Sequence, residues 1–138
     1  NVFYQQLAVL FTMPGSPCIY YGTEIAMEGG HDPDCRRCMP WDEMDSEENR
    51  KRLEEMKKLI SLRKSEKTFK SLYFHFPDTY REKRCVEYIK LDVAGNKIQV
   101  VLNCTKESVD ALDGGEILFA RGYENGKLAP DGTLIRRI

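Results

Sequence analysis

Apolar residues in this 138-residue chain follow a helical period up to about residue 66 and an alternating one beyond it. In FYQQLAVLF, Phe3, Leu7, Leu10 and Phe11 stand at i, i+4, i+7 and i+8, the spacing of one helix face. Thr12-Met13-Pro14-Gly15-Ser16-Pro17 then stops the helix, because two prolines lack amide donors and the glycine accepts positive φ. Cys18-Ile19-Tyr20-Tyr21 is a short apolar and aromatic run that predicts a strand buried on both faces. Helix, break, buried strand and polar loop in that order are the rhythm of an α/β unit with a parallel sheet.

A second helix is predicted from about Ser46 to Ser65. Asp45-Ser46-Glu47-Glu48 offers an N-cap with a glutamate three residues on. Glu47 with Lys51, Glu48 with Arg52 and Glu54 with Lys58 form i,i+4 pairs worth about 0.3 kcal/mol each. Leu53, Met56, Leu59, Ile60 and Arg63 mark the buried stripe, so the charge run reads as its solvated opposite face. From about Phe69 the pattern alternates. Ile89-Lys90-Leu91-Asp92-Val93 and Ile98-Gln99-Val100-Val101-Leu102, joined through Gly95-Asn96, predict a hairpin. Ile117 to Ala120 predicts another strand, Asn125-Gly126 and Pro130-Asp131-Gly132 predict turns, and Leu134 to Ile138 a last strand. The second half is thus a small antiparallel β domain.

Composition narrows the function classes. A net charge of -1 with 21 basic and 22 acidic residues gives no polycation for nucleic acid, and no apolar run approaches the roughly 20 residues that span a bilayer. A soluble, cytoplasmic protein is expected, with neither nucleic acid nor membrane as partner. Of five cysteines, Cys18, Cys85 and Cys104 sit in apolar, strand-like surroundings and are expected to be buried free thiols in a reducing compartment. The chain starts at Asn1 in the middle of a pattern and lacks a secretory signal, so it reads as a piece of a longer protein.

The densest chemistry is GGHDPDCRRCMPWDE, residues 29 to 43, which holds the only tryptophan. Cys35 and Cys38 with His31 suggest zinc, but four donors are needed, no second paired Cys/His cluster exists, and His75 stands apart. Cys35-Arg36-Arg37-Cys38 suggests a dithiol redox site, although such motifs open a helix and here Met39-Pro40 follows. Recognition of a polar ligand is the third reading. Asp32 and Arg36, four apart, present a carboxylate and a guanidinium fork to hydroxyls that both donate and accept. The plain structural alternative is that the two only pair with each other and hold the loop shut.

FTMPGSPCIYYGTEIAMEGGHDPDCRRCMPWDE, residues 11 to 43, resembles the last barrel strand and following loop of the α-amylase family of glycoside hydrolases, nearest to its neopullulanase, cyclomaltodextrinase and maltogenic amylase subgroup. The similarity lies in MPG-x-P-x-IYYG-x-E, then GG-x-DP-x-x-R, then M-x-WD, in order. It implies an α+β fragment in two parts. Residues 1–66 would be the end of a (β/α)8 catalytic barrel, with helix, strand eight, loop and last helix, and residues 67–138 an antiparallel β-sandwich C-terminal domain.

The same resemblance implies a retaining enzyme of α-linked glucans whose nucleophile, acid/base and third carboxylate belong to barrel strands four, five and seven. All three precede this chain, so no residue here is assigned as catalytic, and no metal or cofactor is assigned. Asp32 and Arg36 match residues that contact glucose units on the non-reducing side of the scissile bond. Tyr20, Tyr21, Gly22, Glu24, Trp41 and Asp42 match positions read as structural. Thr23 and Cys38 depart from the common pattern, which often has aspartate and proline there. The implied partners are an α-glucan oligosaccharide and the rest of the barrel, whose absence would leave apolar surface prone to self-association. A rival reading makes the β domain a carbohydrate-binding module, with Tyr73, Tyr80, Tyr88 and Tyr123 stacking on sugars.

Overall fold

The computed structural model describes residues 2–79, 84–111 and 114–138. Helices α1 (Val2–Thr12) and α2 (Glu47–Ser65) bracket a long irregular segment. A sheet of six strands follows: β1 (Phe74–His75), β2 (Val86–Leu91), β3 (Lys97–Leu102), β4 (Val109–Asp110), β5 (Glu116–Glu124) and β6 (Lys127–Arg137). All pairings are antiparallel, in the order β1-β2-β3-β6, with β4 beside the start of β6 and β5 along its other edge. The predicted antiparallel half is therefore present as one continuous hydrogen-bonded sheet. Among the described residues no helix is long and apolar enough to cross a membrane.

Both helices lie on one face of the sheet. Tyr4, Leu7, Ala8 and Phe11 of α1 and Met56 and Leu59 of α2 join Phe69, Tyr88, Ile98, Val100, Phe119 and Ile135 in the main core. Apolar burial of this kind stabilises by about 25 cal/mol per Å² removed from water. A smaller cluster of Val101, Ala111, Leu128 and Leu134 lies apart from it. The buried side of α1 is turned from its predicted position. Gln5 and Thr12 are buried with Tyr4, whereas Phe3 and Leu10 are only half-buried. Gln5 Nε2 donates to the carbonyls of Asn103 and Gly132 at 2.9 and 3.2 Å, which satisfies it at the sheet's edge.

Helix α2 starts where its sequence predicts. Ser46 caps it, with its hydroxyl oxygen accepting from the Asn49 amide at 3.3 Å, and Glu47 with Glu48 complements the positive end of the helix dipole. Glu48 and Arg52 pair at 2.5 Å, but Glu54 pairs with Lys57 at 2.8 Å, one residue earlier than predicted. The far end is locked by Arg63. Its guanidinium donates to the carbonyls of Phe11, Met13 and Phe69 through Nη1 and of Gly15 through Nη2, at 2.6 to 3.3 Å.

Three predictions need correction. Residues 18–21 form no strand, and Cys18, Ile19, Tyr20 and Tyr21 are exposed. A strand exists only through its ladder, and nothing in the described residues pairs with this run. Cys18 is consequently exposed; Cys104 is exposed too and Cys85 half-buried, against the expected burial of all three. Pro130-Asp131-Gly132 does not end a strand. It lies inside β6 as an irregularity, with Asp131 at φ 56°, where the neighbour of β6 changes from β4 to β3. Asn125-Gly126 is a turn as predicted, both residues taking positive φ as a tight two-residue hairpin loop requires.

Lys90 is an unusual member of the core. The residues of β2 that face the helices are Tyr88 and Lys90, both fully buried. Its Nζ donates to the Ser71 carbonyl at 2.5 Å and lies 5.4 Å from the centre of the Phe74 ring. Burial, and then the Arg63 guanidinium, push the ammonium down from 10.5 to about 8. A lowered lysine pKa means that the unfolded chain binds more protons between these values, so this group costs stability at neutral pH and the cost fades as pH rises.

Two outcomes are expected in urea unfolding. Arg63→Ala leaves four carbonyls without their donor and costs about 2–4 kcal/mol, and Arg63→Lys recovers little because one ammonium cannot span them. Raising the pH from about 8 to 10.5 shifts the stability difference between the wild type and Lys90→Met in favour of the wild type.

Candidate functional site

Between α1 and α2 the chain is built from short turns that brace one another. Gly22 takes φ 83°, a left-handed conformation, and its carbonyl accepts from the Met27 amide at 2.9 Å. A Cβ at Gly22 would stand 2.9 Å from Met27 Cβ, so both the backbone angle and the space require glycine. One 3-10 turn, Thr23–Ile25, follows it and buries Ile25. The Ile25 carbonyl accepts from Arg52 Nη1 at 3.0 Å, which fastens this turn to α2.

The crowded loop is closed by Asp34. Its carboxylate accepts from the Gly30 amide at 2.7 Å and, as a two-pronged pair, from Arg37 Nε at 2.5 Å and Nη2 at 2.7 Å. Those bonds hold Asp34 below its ordinary carboxylate pKa, the Arg37 bond first and the Gly30 bond next. The clamp is therefore kept as pH falls until Asp34 itself protonates. Gly30 permits the close approach, since a Cβ there would be 2.8 Å from Asp34 Oδ2. The Tyr21 hydroxyl donates to the Arg37 carbonyl at 2.8 Å and so ties the loop back to the segment before it.

Asp32 and Arg36 are brought together as their spacing suggests. Arg36 Nη2 lies 2.5 Å from Asp32 Oδ1, and about two thirds of each side chain is exposed, 61% for Arg36 and 66% for Asp32. The pair stands on the outside of the loop. Behind it, a 370 Å³ cavity lined by Ile25, Met27, Arg37, Cys38, Asn49 and Arg52 does not include either residue. Bracing and presentation are thus divided: Asp34 and Arg37 hold the loop, and Asp32 and Arg36 face solvent with unused donors and acceptors. Sequence reasoning missed the Asp34–Arg37 clamp, although its i,i+3 spacing lies beside the pair that was singled out.

The remaining predicted positions surround this loop without forming one pocket. Tyr20 and Tyr21 are exposed and in ring contact at 4.5 Å, and Gly22 is buried. Glu24 is half-buried, while Trp41 and Asp42 are exposed in a second short turn, with 72% of Trp41 open to solvent. Cys35 and Cys38 are free thiols, both exposed. Among the described residues no three His, Cys, Asp or Glu side chains are grouped so as to hold a metal ion, and His31 points to no such set. Of the aromatic residues suggested for sugar stacking, Tyr88 is buried and Tyr123 half-buried. Tyr73 is exposed and lines a cleft of about 1020 Å³ with Thr68, Asp92 and Asn96, and Tyr80 lies outside the described residues.

Comparison with known proteins gives a consistent set. Over 62 residues the chain is 53% identical to the intracellular maltogenic amylase of Bacillus subtilis, covering 45% of this chain and 10% of that protein. It is 39% identical over 100 residues to a cyclomaltodextrinase of Geobacillus thermopakistaniensis, 72% of this chain and 16% of that one. It is 57% identical over 60 residues to neopullulanase 2 of Thermoactinomyces vulgaris, 42% of this chain and 10% of that one. The chain therefore spans less than a fifth of the length of these relatives. No protein-family model matches it. In fold, 99% of the chain superimposes on 23% of a pullulanase from Anoxybacillus sp. complexed with maltotriose, with a TM-score of 0.72 at 21% identity.

The turn before the loop offers a direct check. Gly22→Ala is expected to cost about 1–3 kcal/mol in urea unfolding, from its left-handed backbone and the clash with Met27, with Asp32 and Arg36 themselves untouched.

Proposed function

This chain is a segment of an α-amylase-family protein related to maltogenic amylase, cyclomaltodextrinase and neopullulanase, and on that premise we propose that its parent is a retaining hydrolase or transglycosylase of α-linked glucans. Cyclodextrins, maltooligosaccharides, pullulan and starch are the substrate class. Residues 1–66 are read as the end of a (β/α)8 barrel, with residues 18–21 taking up their strand only beside neighbouring barrel strands. Residues 67–138 are read as a β-sandwich C-terminal domain. The catalytic carboxylates lie on other barrel strands, and this segment alone is inactive.

Asp32 and Arg36 form the substrate-binding part. The observation that carries this reading is their exposed ion pair on a loop whose rigidity comes from other residues, Asp34, Arg37 and Tyr21. A residue pair that only held the loop shut would duplicate the clamp beside it. Facing a glucose unit, the carboxylate accepts from one hydroxyl and the guanidinium donates to another, and the loop is already ordered before the sugar arrives. Tyr20, Tyr21, Gly22, Glu24, Trp41 and Asp42 support that loop.

An apolar groove along α1, lined by Val2, Gln5, Gln6, Val9, Leu10 and Leu102, supports packing against the rest of the barrel. Without that cover the same groove favours self-association. A cytoplasmic location is supported by the Bacillus subtilis relative, which is named as intracellular.

In the full-length protein, Asp32→Ala and Arg36→Ala are each expected to lower kcat/KM for maltooligosaccharides by about tenfold to a hundredfold, the worth of one or two charge-assisted hydrogen bonds. Because the two side chains form one unit, the double variant should lose little more than either single one. Unchanged kcat/KM in both single variants would refute the assignment.

A further inference from the structure

Cys35 and Cys38 are not used by the sugar-binding reading, yet they sit inside its loop. Both thiols are free and exposed. Cys35 lies in the 3-10 turn Asp34–Arg36, with its Sγ 3.8 Å from Asp32 Oδ1 as a weak donor, so it touches the carboxylate assigned to the ligand. Cys38 lies beyond Arg37, which has left the helical conformation with φ -60° and ψ 154° and carries it out of the turn. Arg37 is the residue held at its side chain by Asp34 and at its carbonyl by Tyr21. Cys38 also lines the 370 Å³ cavity together with Arg37.

A disulfide fixes its two sulfurs about 2.05 Å apart and its two Cα atoms within about 7 Å. Between residues three apart, that constraint falls on the two residues they enclose, Arg36 and Arg37. A bridge between them therefore bears on the Arg37 backbone and on the Cys35–Asp32 contact. The contacts at stake are then Asp32–Arg36, Asp34–Arg37 and Tyr21–Arg37, which together shape the binding loop.

We propose that Cys35 and Cys38 are a thiol–disulfide switch that turns the glucan-binding loop from a competent reduced form to a weakened oxidised form. The proposal rests on the reading of Asp32 and Arg36 as sugar ligands. The oxidant is a low-molecular-weight disulfide. One cysteine thiolate attacks it, forms a mixed disulfide and expels a first thiolate. The second cysteine thiolate then attacks the protein sulfur of that mixed disulfide, forms the Cys35–Cys38 bond and expels a second thiolate. The two protein protons end on the two small thiols, so one disulfide is reduced as one is formed.

The test uses the full-length protein, treated with oxidised glutathione and then with dithiothreitol. Peptide mass mapping is expected to show a loss of two hydrogens confined to the segment holding Cys35 and Cys38, reversed by reduction. KM for a maltooligosaccharide should rise about tenfold with kcat little changed, the loss of roughly one charge-assisted hydrogen bond. Cys35→Ser and Cys38→Ser should each abolish the response to oxidant relative to their own reduced state.

Cys18 and Cys104 are exposed as well, so a bridge to either, or stable glutathione adducts without an internal bridge, overturns the proposal. So does a Cys35–Cys38 bridge that leaves KM unmoved in a protein whose Asp32→Ala variant has a raised KM; the sugar-binding reading would survive that result. If Asp32→Ala and Arg36→Ala leave kcat/KM unchanged, the sugar-binding reading itself fails and the switch falls with it.

Discussion

A single guanidinium joins the pieces that regular secondary structure cannot join. Arg63 reaches the end of α1 at Phe11, the break at Met13 and Gly15, and the turn before the sheet at Phe69. Carbonyls at a helix end and in an irregular crossing have no ladder partner, and an unpaired one away from water costs free energy comparable to a lost hydrogen bond. One planar group with five donors answers several of them at once, which an ammonium does not do. The same charge bears on Lys90, lowering its proton affinity where burial has already done so. The lysine keeps its bond to Ser71 and so anchors the chain entering β1.

Around that anchor, the two helices and the sheet are tied by ion pairs that cross between layers. Arg121 of β5 pairs with Glu55 of α2 at 2.5 Å and lies over the Tyr4 ring of α1 at 4.4 Å. Arg137 of β6 pairs with Glu66 at 2.7 Å. Pairs on a fully exposed surface contribute little, but these are largely sheltered and link elements far apart in sequence. They hold α2 in place, and α2 in turn holds the candidate loop through Arg52 and Asn49. The chain of dependence runs from sheet to helix to loop.

The loop is rigid for local reasons and open for tertiary ones. Its Asp34 clamp, tight glycines and Tyr21 tether lie within the segment from Tyr21 to Arg37. Its tyrosines, its tryptophan and the Asp32–Arg36 pair are left open to solvent. The chain spans under a fifth of the length of its relatives, and within it the loop is already ordered by its own contacts. Two exposed thiols, Cys35 and Cys38, lie in the same loop.

Sequence by itself determined what depends on neighbours a few residues apart. Helix α2 and its Ser46 cap, the β2–β3 hairpin, the Asn125-Gly126 turn and the Asp32–Arg36 pair follow from local spacing, because capping, hairpin and i,i+4 contacts are short-range. The motif between Phe11 and Glu43 also carried the family resemblance. Tertiary structure alone decided the rest. It turned Gln5 into the core to meet the Asn103 and Gly132 carbonyls, set Lys90 inward beneath Ser71, and carried β6 through Pro130-Asp131-Gly132 between two different neighbours. It also left residues 18–21 without a ladder, since a strand is defined by the partner it pairs with and no run of letters contains that partner.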